Sequence, residues 1–207
     1  MNEITAITPQ IKDKRRCNIY VDGRFCCGLT LETTVKNRLK VGQIVSPERL
    51  AEIQLDSEKN TALDKALTHI STSQKTEKQM REFLQGKGYL PTVIDYVMEK
   101  LRSYNFLNDG QYAEMYVDNL SKRKGSKLIR MELRGKGVSD AEIDAALDTL
   151  PQEREEEVAR VLLEKYMRGK VCDKTTLQKA CRYLLGKGYD YEVVRSVLSS
   201  FGECDED

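Results

Sequence analysis

The sequence predicts a mostly α fold: three tandem three-helix repeats in an elongated, curved array, preceded by a small N-terminal β-hairpin and helical segment. Three observations predict it. Gly86-Lys87-Gly88, Gly135-Lys136-Gly137 and Gly186-Lys187-Gly188 recur at spacings of 49 and 51 residues. Each triplet lies in the same apolar columns, with Leu84, Leu133 or Leu184 before it, Tyr89, Val138 or Tyr189 directly after it, and Ile94, Ile143 or Val194 further on. The columns Val97/Ala146/Val197, Met98/Leu147/Leu198 and Leu101/Leu150/Phe201 continue the register at helical spacing. A period near fifty points to helical units that bury faces against their neighbours.

The chain divides accordingly into an N-terminal cap (1–56), a first repeat (57–105), a second repeat (106–150) and a third repeat with an acidic tail (151–207). In the cap, Asp22-Gly23 separates two runs rich in Ile, Tyr, Val, Phe and Cys, a hairpin signal that tolerates positive φ at the turn. An isolated hairpin is marginal in water, so it is expected to pack on something. Leu31 to Gln54 reads as two short helices, the second opened by Ser46-Pro47, where serine caps and proline suits the first turn.

Each repeat opens with a leading helix. The apolar faces are Leu63, Ala66, Leu67 and Ile70 in the first; Tyr112, Ala113, Tyr116, Val117 and Leu120, capped by Asp109, in the second; and Val158, Val161, Leu162 and Tyr166 in the third. Middle helices follow, with N-caps expected at Thr76, Gly125 and Thr176 and a capping box in Thr76-x-x-Gln79. They are expected to end with Gly86, Gly135 and Gly186 in the left-handed conformation that closes a helix. The last helix starts at Pro91 in the first repeat, after a second capping box at Ser139-x-x-Glu142 in the second, and after Asp190 in the third. Ser103 to Leu107 is a short, apolar linker.

Composition narrows the function classes. The 207 residues carry 34 Lys and Arg against 33 Asp and Glu, so a net charge of +1 does not drive tight nucleic-acid binding by itself. No apolar run approaches the roughly 18 residues of a membrane span, and no signal-peptide core opens the chain, which makes the cytoplasm the expected location. Six cysteines without a CxxC pair read as reduced thiols, mostly core fillers, with Cys26 and Cys27 on opposite faces of a strand. His69 is the only histidine, and no nucleophile–base pair or metal-ligand cluster emerges. No cofactor and no catalysis are expected. Glu153, Glu155, Glu156 and Glu157 suit the dipole at a helix start.

The triplets lack the GxxxxGK[ST] spacing of a phosphate loop. Their lysines, Lys87, Lys136 and Lys187, are expected to point outward in register, as a row suited to a repetitive partner. The sharpest charge feature is Lys122, Arg123, Lys124, Lys127 and Arg130, followed by Arg134 and Lys136, across a helix end and the next helix start. Such a patch suits phosphate or a carboxylate-rich protein surface. A helix-turn-helix DNA-binding regulator is the alternative, but Ile94, Val97, Met98 and Leu101 turn the last helix toward a core and leave no base-reading face.

Thr76-x-x-Gln79-Met80-Arg81-x-x-Leu84-x-x-Lys87-Gly88-Tyr89, Phe106-Leu107-Asn108-Asp109-x-x-Tyr112-Ala113-x-x-Tyr116-Val117 and Gly125-x-x-x-Ile129-x-x-Glu132-Leu133-x-x-Lys136-Gly137-Val138 resemble the RecX family over roughly residues 57–201. Asn108 and Asn105 depart from that family's usual acidic residue and glycine. Asparagine caps and tolerates left-handed backbone, so the fold is expected to be unaffected. The resemblance implies the three-repeat arc and a non-catalytic regulator of the bacterial RecA recombinase in DNA repair, recombination and the SOS response. It implies binding to the RecA filament, contact with single-stranded DNA weakly or through RecA, suppression of ATP hydrolysis and strand exchange, and a monomer whose binding face stays open.

Overall fold

The computed structural model describes residues 2–11 and 13–202. The expected acidic tail, Glu203 to Asp207, and Cys204 lie outside the described residues, as does the side chain of Glu153. Internal contacts divide the chain into two compact units, Met1–Gln74 with Met80–Phe106, and Lys75–Gln79 with Leu107–Asp207.

The first compact unit opens with three antiparallel strands, β1 (Ile4–Pro9), β2 (Arg16–Val21) and β3 (Arg24–Thr30), in the order β1-β2-β3. Asp22 and Gly23 join β2 to β3 with φ of 47° and 77°, the two positive values that match the strand twist. The hairpin stands as predicted. The third strand, β1, went unpredicted because its ITAITP run buries only Ile4 fully and its register slips between Ile4 and Ala6, which blurs a period-two pattern. Cys27 is buried and Cys26 exposed, on opposite faces as the strand requires. Burial pushes the Cys27 thiol up to about 12.

Helix α1 (Leu31–Lys36) is capped by Thr30, whose Oγ1 accepts from Thr33 N at 3.1 Å. Helix α2 (Pro47–Thr72) starts as expected, with Ser46 Oγ accepting from Arg49 N at 3.2 Å. It does not stop near Gln54 but continues as one helix of 26 residues. No glycine or proline interrupts it, and two cores hold it. Leu50 and Ile53 join Ile4, Cys17, Ile19, Cys27 and Leu29 in the sheet's core, while Ala62 and Ala66 are fully buried further on. Thr30 N also donates to Ser57 Oγ at 2.9 Å, tying β3 to this helix.

The remaining helices are α3 (Glu77–Gly86), α4 (Pro91–Ser103), α5 (Asp109–Leu120), α6 (Ser126–Gly135), α7 (Asp140–Leu147), α8 (Gln152–Met167), α9 (Lys174–Gly186) and α10 (Tyr191–Gly202). The leading helices α2, α5 and α8 bury one column through and through: Ala62 and Ala66, Ala113 and Val117, Ala159 and Leu163. Ala62, Ala159 and Leu163 lie outside the expected apolar faces, which in the third repeat are set one residue off: Val158 and Leu162 are half-buried beside Ala159 and Leu163, and Val161, expected inside, is 42% exposed. In the second compact unit, α5 to α7 share one core (Ala113, Val117, Ile129, Leu133, Val138, Ile143, Ala146), and α8 to α10 another centred on Leu163, Leu184, Tyr189 and Val194.

The triplets end the middle helices α3, α6 and α9, with the left-handed residue two positions later than expected. Gly86, Gly135 and Gly186 are the last helical residues, and the left-handed residues are Gly88, Gly137 and Gly188, at φ of 81°, 90° and 88°. Gly88 N donates to Gln85 O at 2.9 Å and Tyr89 N to Leu84 O at 3.3 Å, the paired bonds of a Schellman ending, repeated at Gly137-Val138 and Gly188-Tyr189. Val138 and Tyr189, each after a second glycine, share a core with Leu133 and Leu184, as this ending favours.

Candidate functional site

Middle-helix starts carry the most unusual local chemistry. Thr76 and Gln79 form the expected capping box, Thr76 Oγ1 accepting from Gln79 N at 3.3 Å and Gln79 Oε1 from Thr76 N at 3.2 Å. Thr76 Oγ1 also donates to Lys136 O at 2.7 Å, in the turn that ends α6. Glu77 N donates to Asp109 Oδ1 at 2.9 Å. Asp109 therefore does not cap its own helix. Asn108 does so, accepting from Gln111 N at 2.9 Å, and the Asp109 carboxylate caps the start of α3 instead.

The same device recurs at α6. Its N-cap is Gly125, as expected, whose N–H donates to Lys187 O at 3.0 Å; Lys127 N donates to Gly188 O at 3.1 Å. Ser126 N and Oγ donate to the two carboxylate oxygens of Glu155 at 2.8 and 2.9 Å. Gly125 is required there, since a Cβ would overlap the Gly188 backbone. A glycine-lysine-glycine turn and a carboxylate of the following repeat's leading helix thus supply acceptors to the start of a middle helix, beside the capping box at α3 and in place of a side-chain cap at α6. Helix α9 departs from this pattern. Thr176 is not its N-cap; the helix begins earlier, after Asp173, whose carboxylate accepts from Thr176 N at 2.7 Å and is held below the usual range by the Thr176 hydroxyl first and by this backbone bond second.

The basic stretch folds into ion pairs. Lys122 lies 3.9 Å from Asp118, Lys127 Nζ 3.0 Å from Asp190, and Arg134 Nε 2.6 Å from Asp140, while Arg130 pairs with Asp144. Lys124 Nζ and the Tyr116 hydroxyl each donate to Glu132 Oε2 at 2.8 Å. The Lys124 bond, first, and then Tyr116 hold the Glu132 carboxyl below its usual range against partial burial. Burial, then the Glu132 acceptor, pushes the Tyr116 phenol up. Among the described residues of this stretch, Arg123 and Lys136 have no acidic partner at ion-pair distance. The structure thus brings most of the predicted cations together with carboxylates. Asp190 is expected only as a helix start and Asp118, Asp140 and Asp144 carry no expectation, although Arg134 and Asp140 flank one turn closely enough to suggest their pairing.

The triplet lysines do not simply point to solvent. Lys136 lies over the Tyr116 ring at 5.4 Å, Lys187 over Tyr183 at 5.6 Å, and Lys87 over Phe83 at 5.5 Å. Lys136 and Lys187 belong to the second compact unit and Lys87 to the first, where the Phe83 ring is also stacked on His69 at 3.9 Å. Lys87, His69, Phe83, Arg15, Asp64 and Lys65 line an open groove of about 680 Å³. A second groove of about 310 Å³ shares Arg15, Asp64 and Lys65 and reaches Thr30 and Leu31. Among the described residues no His, Cys, Asp or Glu group could hold a metal ion, and no helix is long and apolar enough to cross a membrane.

Four family models cover nearly the whole chain: the RecX N-terminal domain at residues 2–46, and the first, second and third RecX three-helix domains at 62–101, 108–147 and 153–198. The regulatory protein RecX of Clostridium tetani is 32% identical over 203 residues, covering 96% of this chain and 94% of the relative. That of Clostridium perfringens strain 13 is 35% identical over 202 residues, covering 96% and 95%. A crystal structure of regulatory protein RecX superposes with a TM-score of 0.73 at 27% identity, covering 95% of this chain and 98% of that one. RecX from Lactobacillus salivarius, at 24% identity and a TM-score of 0.65 over 69% of this chain, shares the fold. With three consecutive three-helix repeats behind an N-terminal sheet and this likeness along its full length, the chain belongs to the RecX family.

Proposed function

We propose that this chain is a regulatory protein that binds RecA or the RecA–single-stranded DNA filament and modulates, mainly inhibits, its ATPase, strand-exchange and recombination activity. The observation that carries this reading is the full-length likeness to relatives named regulatory protein RecX. It acts without catalysis, as a cytoplasmic monomer, touching single-stranded DNA weakly or through RecA. A row of similar repeats suits a helical filament, which offers the same features at each protomer and rewards linked contacts.

The test is the single-strand-DNA-dependent ATP hydrolysis of RecA with increasing amounts of the purified chain. A fall in rate at equal or lower amounts is expected, and an unchanged rate at saturating protein overturns the reading. Of the candidate contacts, Lys122 and Arg123 are exposed and carry little folding load. Their joint replacement by alanine weakens inhibition while leaving the unfolding midpoint in place. Replacing Lys124 also strips Glu132 of its partner, so its effect on inhibition is not separable from folding.

A further inference from the structure

The first repeat carries a third copy of the helix-start site, and among the described residues no helix start fills it. Glu58, which among the described residues meets only a long 3.4 Å bond from Gln54 Nε2, stands four residues before the buried Ala62, as Asp109 does before Ala113 and Glu155 before Ala159, so the carboxylate column is complete in the first repeat. The turn is complete too, with the same Schellman bonds at Gly88 and Tyr89. Gly86, Lys87 and Gly88 are all exposed; in the occupied copies the middle residues Lys136 and Lys187 are half-buried, with Gly188 buried and Gly137 exposed. Among the described residues none donates to Lys87 O or Gly88 O, the counterparts of the oxygens at Lys136, Lys187 and Gly188 that accept from helix starts. A Cβ at Gly137 or Gly188 would overlap the seated helix, at Lys78 and Leu128, but one at Gly88 meets nothing within 4 Å. The groove lined by Arg15, Lys65, Phe83 and Lys87 opens beside this turn, and Leu90, just past it, is 59% exposed.

We propose that the Gly86–Gly88 turn, with Glu58 and Leu90, is a vacant docking site for the N-terminus of a helix presented by another protein. The chemistry selects that occupant. Two carbonyl oxygens and a carboxylate are acceptors only, so they match the unpaired N–H groups of a helix start and offer a phosphate oxygen no donor. The two filled copies show what fits: a cap of threonine or glycine, then a side chain such as lysine or leucine lying on the second glycine. A second copy of this chain matches poorly: its α3 and α6 starts are already seated, α9 is capped by Asp173, whose charge would face Glu58, and the starts of α4 and α8 present Leu90 and Pro151 where the filled copies have threonine or glycine. Identifying the other protein as RecA rests on the reading proposed above; the docking site itself does not.

The experiment uses the full chain, 15N-labelled, titrated with a peptide of its own residues Ser73–Gln85, a sequence that seats on such a turn. Saturable shifts of the Lys87, Gly88 and Tyr89 amides are expected, about tenfold weaker in Glu58→Gln, which loses the capping charge. They are lost in Gly88→Asn, since asparagine tolerates positive φ and fills the space. No shift in the wild type, or shifts unaltered in both variants, overturns the proposal; should Gly88→Asn fail to fold, Glu58→Gln decides. A wild-type dimer that Gly88→Asn splits in gel filtration also overturns it, by making a second copy the occupant. Co-sedimentation with RecA filaments separates the two readings. Wild-type binding that both variants retain overturns RecA as the owner of the docked helix. Absence of wild-type binding counts against the RecA reading, and the peptide titration alone then decides the site.

Discussion

The hydroxyl of Thr76 donates to the carbonyl of Lys136 at 2.7 Å, across sixty residues of chain, while accepting from Gln79 N. One buried side chain thus closes the first turn of α3 and fastens it to the end of α6. Thr76→Val keeps the shape and removes both bonds, and a loss of about 1–2 kcal/mol in unfolding free energy is expected. Urea denaturation measures it, and Thr76→Ser is expected to restore most of the loss. A midpoint unmoved by Thr76→Val contradicts the double role.

The two glycines of each triplet have opposite expected responses to alanine. At Gly86 the backbone is helical and a Cβ meets nothing, so Gly86→Ala stabilises by about 0.5–1 kcal/mol. Gly88→Ala forces an L side chain into φ of 81° and costs about 1–2 kcal/mol. Gly188→Ala adds overlap with Leu128 and costs more than Gly88→Ala. Thermal melts of the three variants give the order directly.

Glu132 makes part of the stability pH-dependent. Its carboxyl is depressed in the folded chain, so its contribution is present above the ordinary carboxylate value of 4.5 and is lost as pH falls through the lower folded value. Lys124→Met removes the main cause of the depression. The variant is expected to be less stable than the wild type near neutral pH and to converge on it in acid. Urea midpoints between about pH 3 and 7 test this, and a constant difference across that range contradicts it.

The two adjacent thiols separate by reactivity. Cys26 is exposed, whereas Cys27 is buried with its thiol pushed up to about 12. Iodoacetamide at about pH 8 is expected to label Cys26 and spare Cys27 until the chain unfolds, read by mass spectrometry of the peptide that holds both. Equal labelling in the native state contradicts the strand orientation.

Elements built from local signals were legible in the sequence. The Asp22-Gly23 hairpin, the Ser46 and Ser139 caps and the Thr76 box are all set by residues within a few positions of one another. The triplets were legible as helix stops, but the choice of left-handed glycine was not, because either glycine tolerates that backbone. The deciding feature was the apolar residue after the second glycine, which must reach the leucine before the first. The continuous α2 was obscured because a helix that changes the face it buries, from Leu50 and Ile53 to Ala62 and Ala66, shows no single amphipathic period. Asp109 and Glu155 read as residues of their own helices. Their partners lie 32 and 29 residues away, and no local pattern announces such a bond. For the same reason the Lys122–Arg134 stretch looked more cationic in sequence than it is when folded beside Asp140, Asp144 and Asp190.

The long reach of the Thr76 bond bears on how the chain is made. A ribosome adding about 5–20 residues per second delivers Lys136 roughly 3–12 seconds after Thr76. During that interval the first turn of α3 has neither its carbonyl acceptor nor its fixed Asp109 carboxylate, and it frays. Birth order therefore runs opposite to completion order: each middle helix that leans on a later turn is finished by residues not yet translated, and α9, which caps itself with Asp173, is the one that waits for nothing.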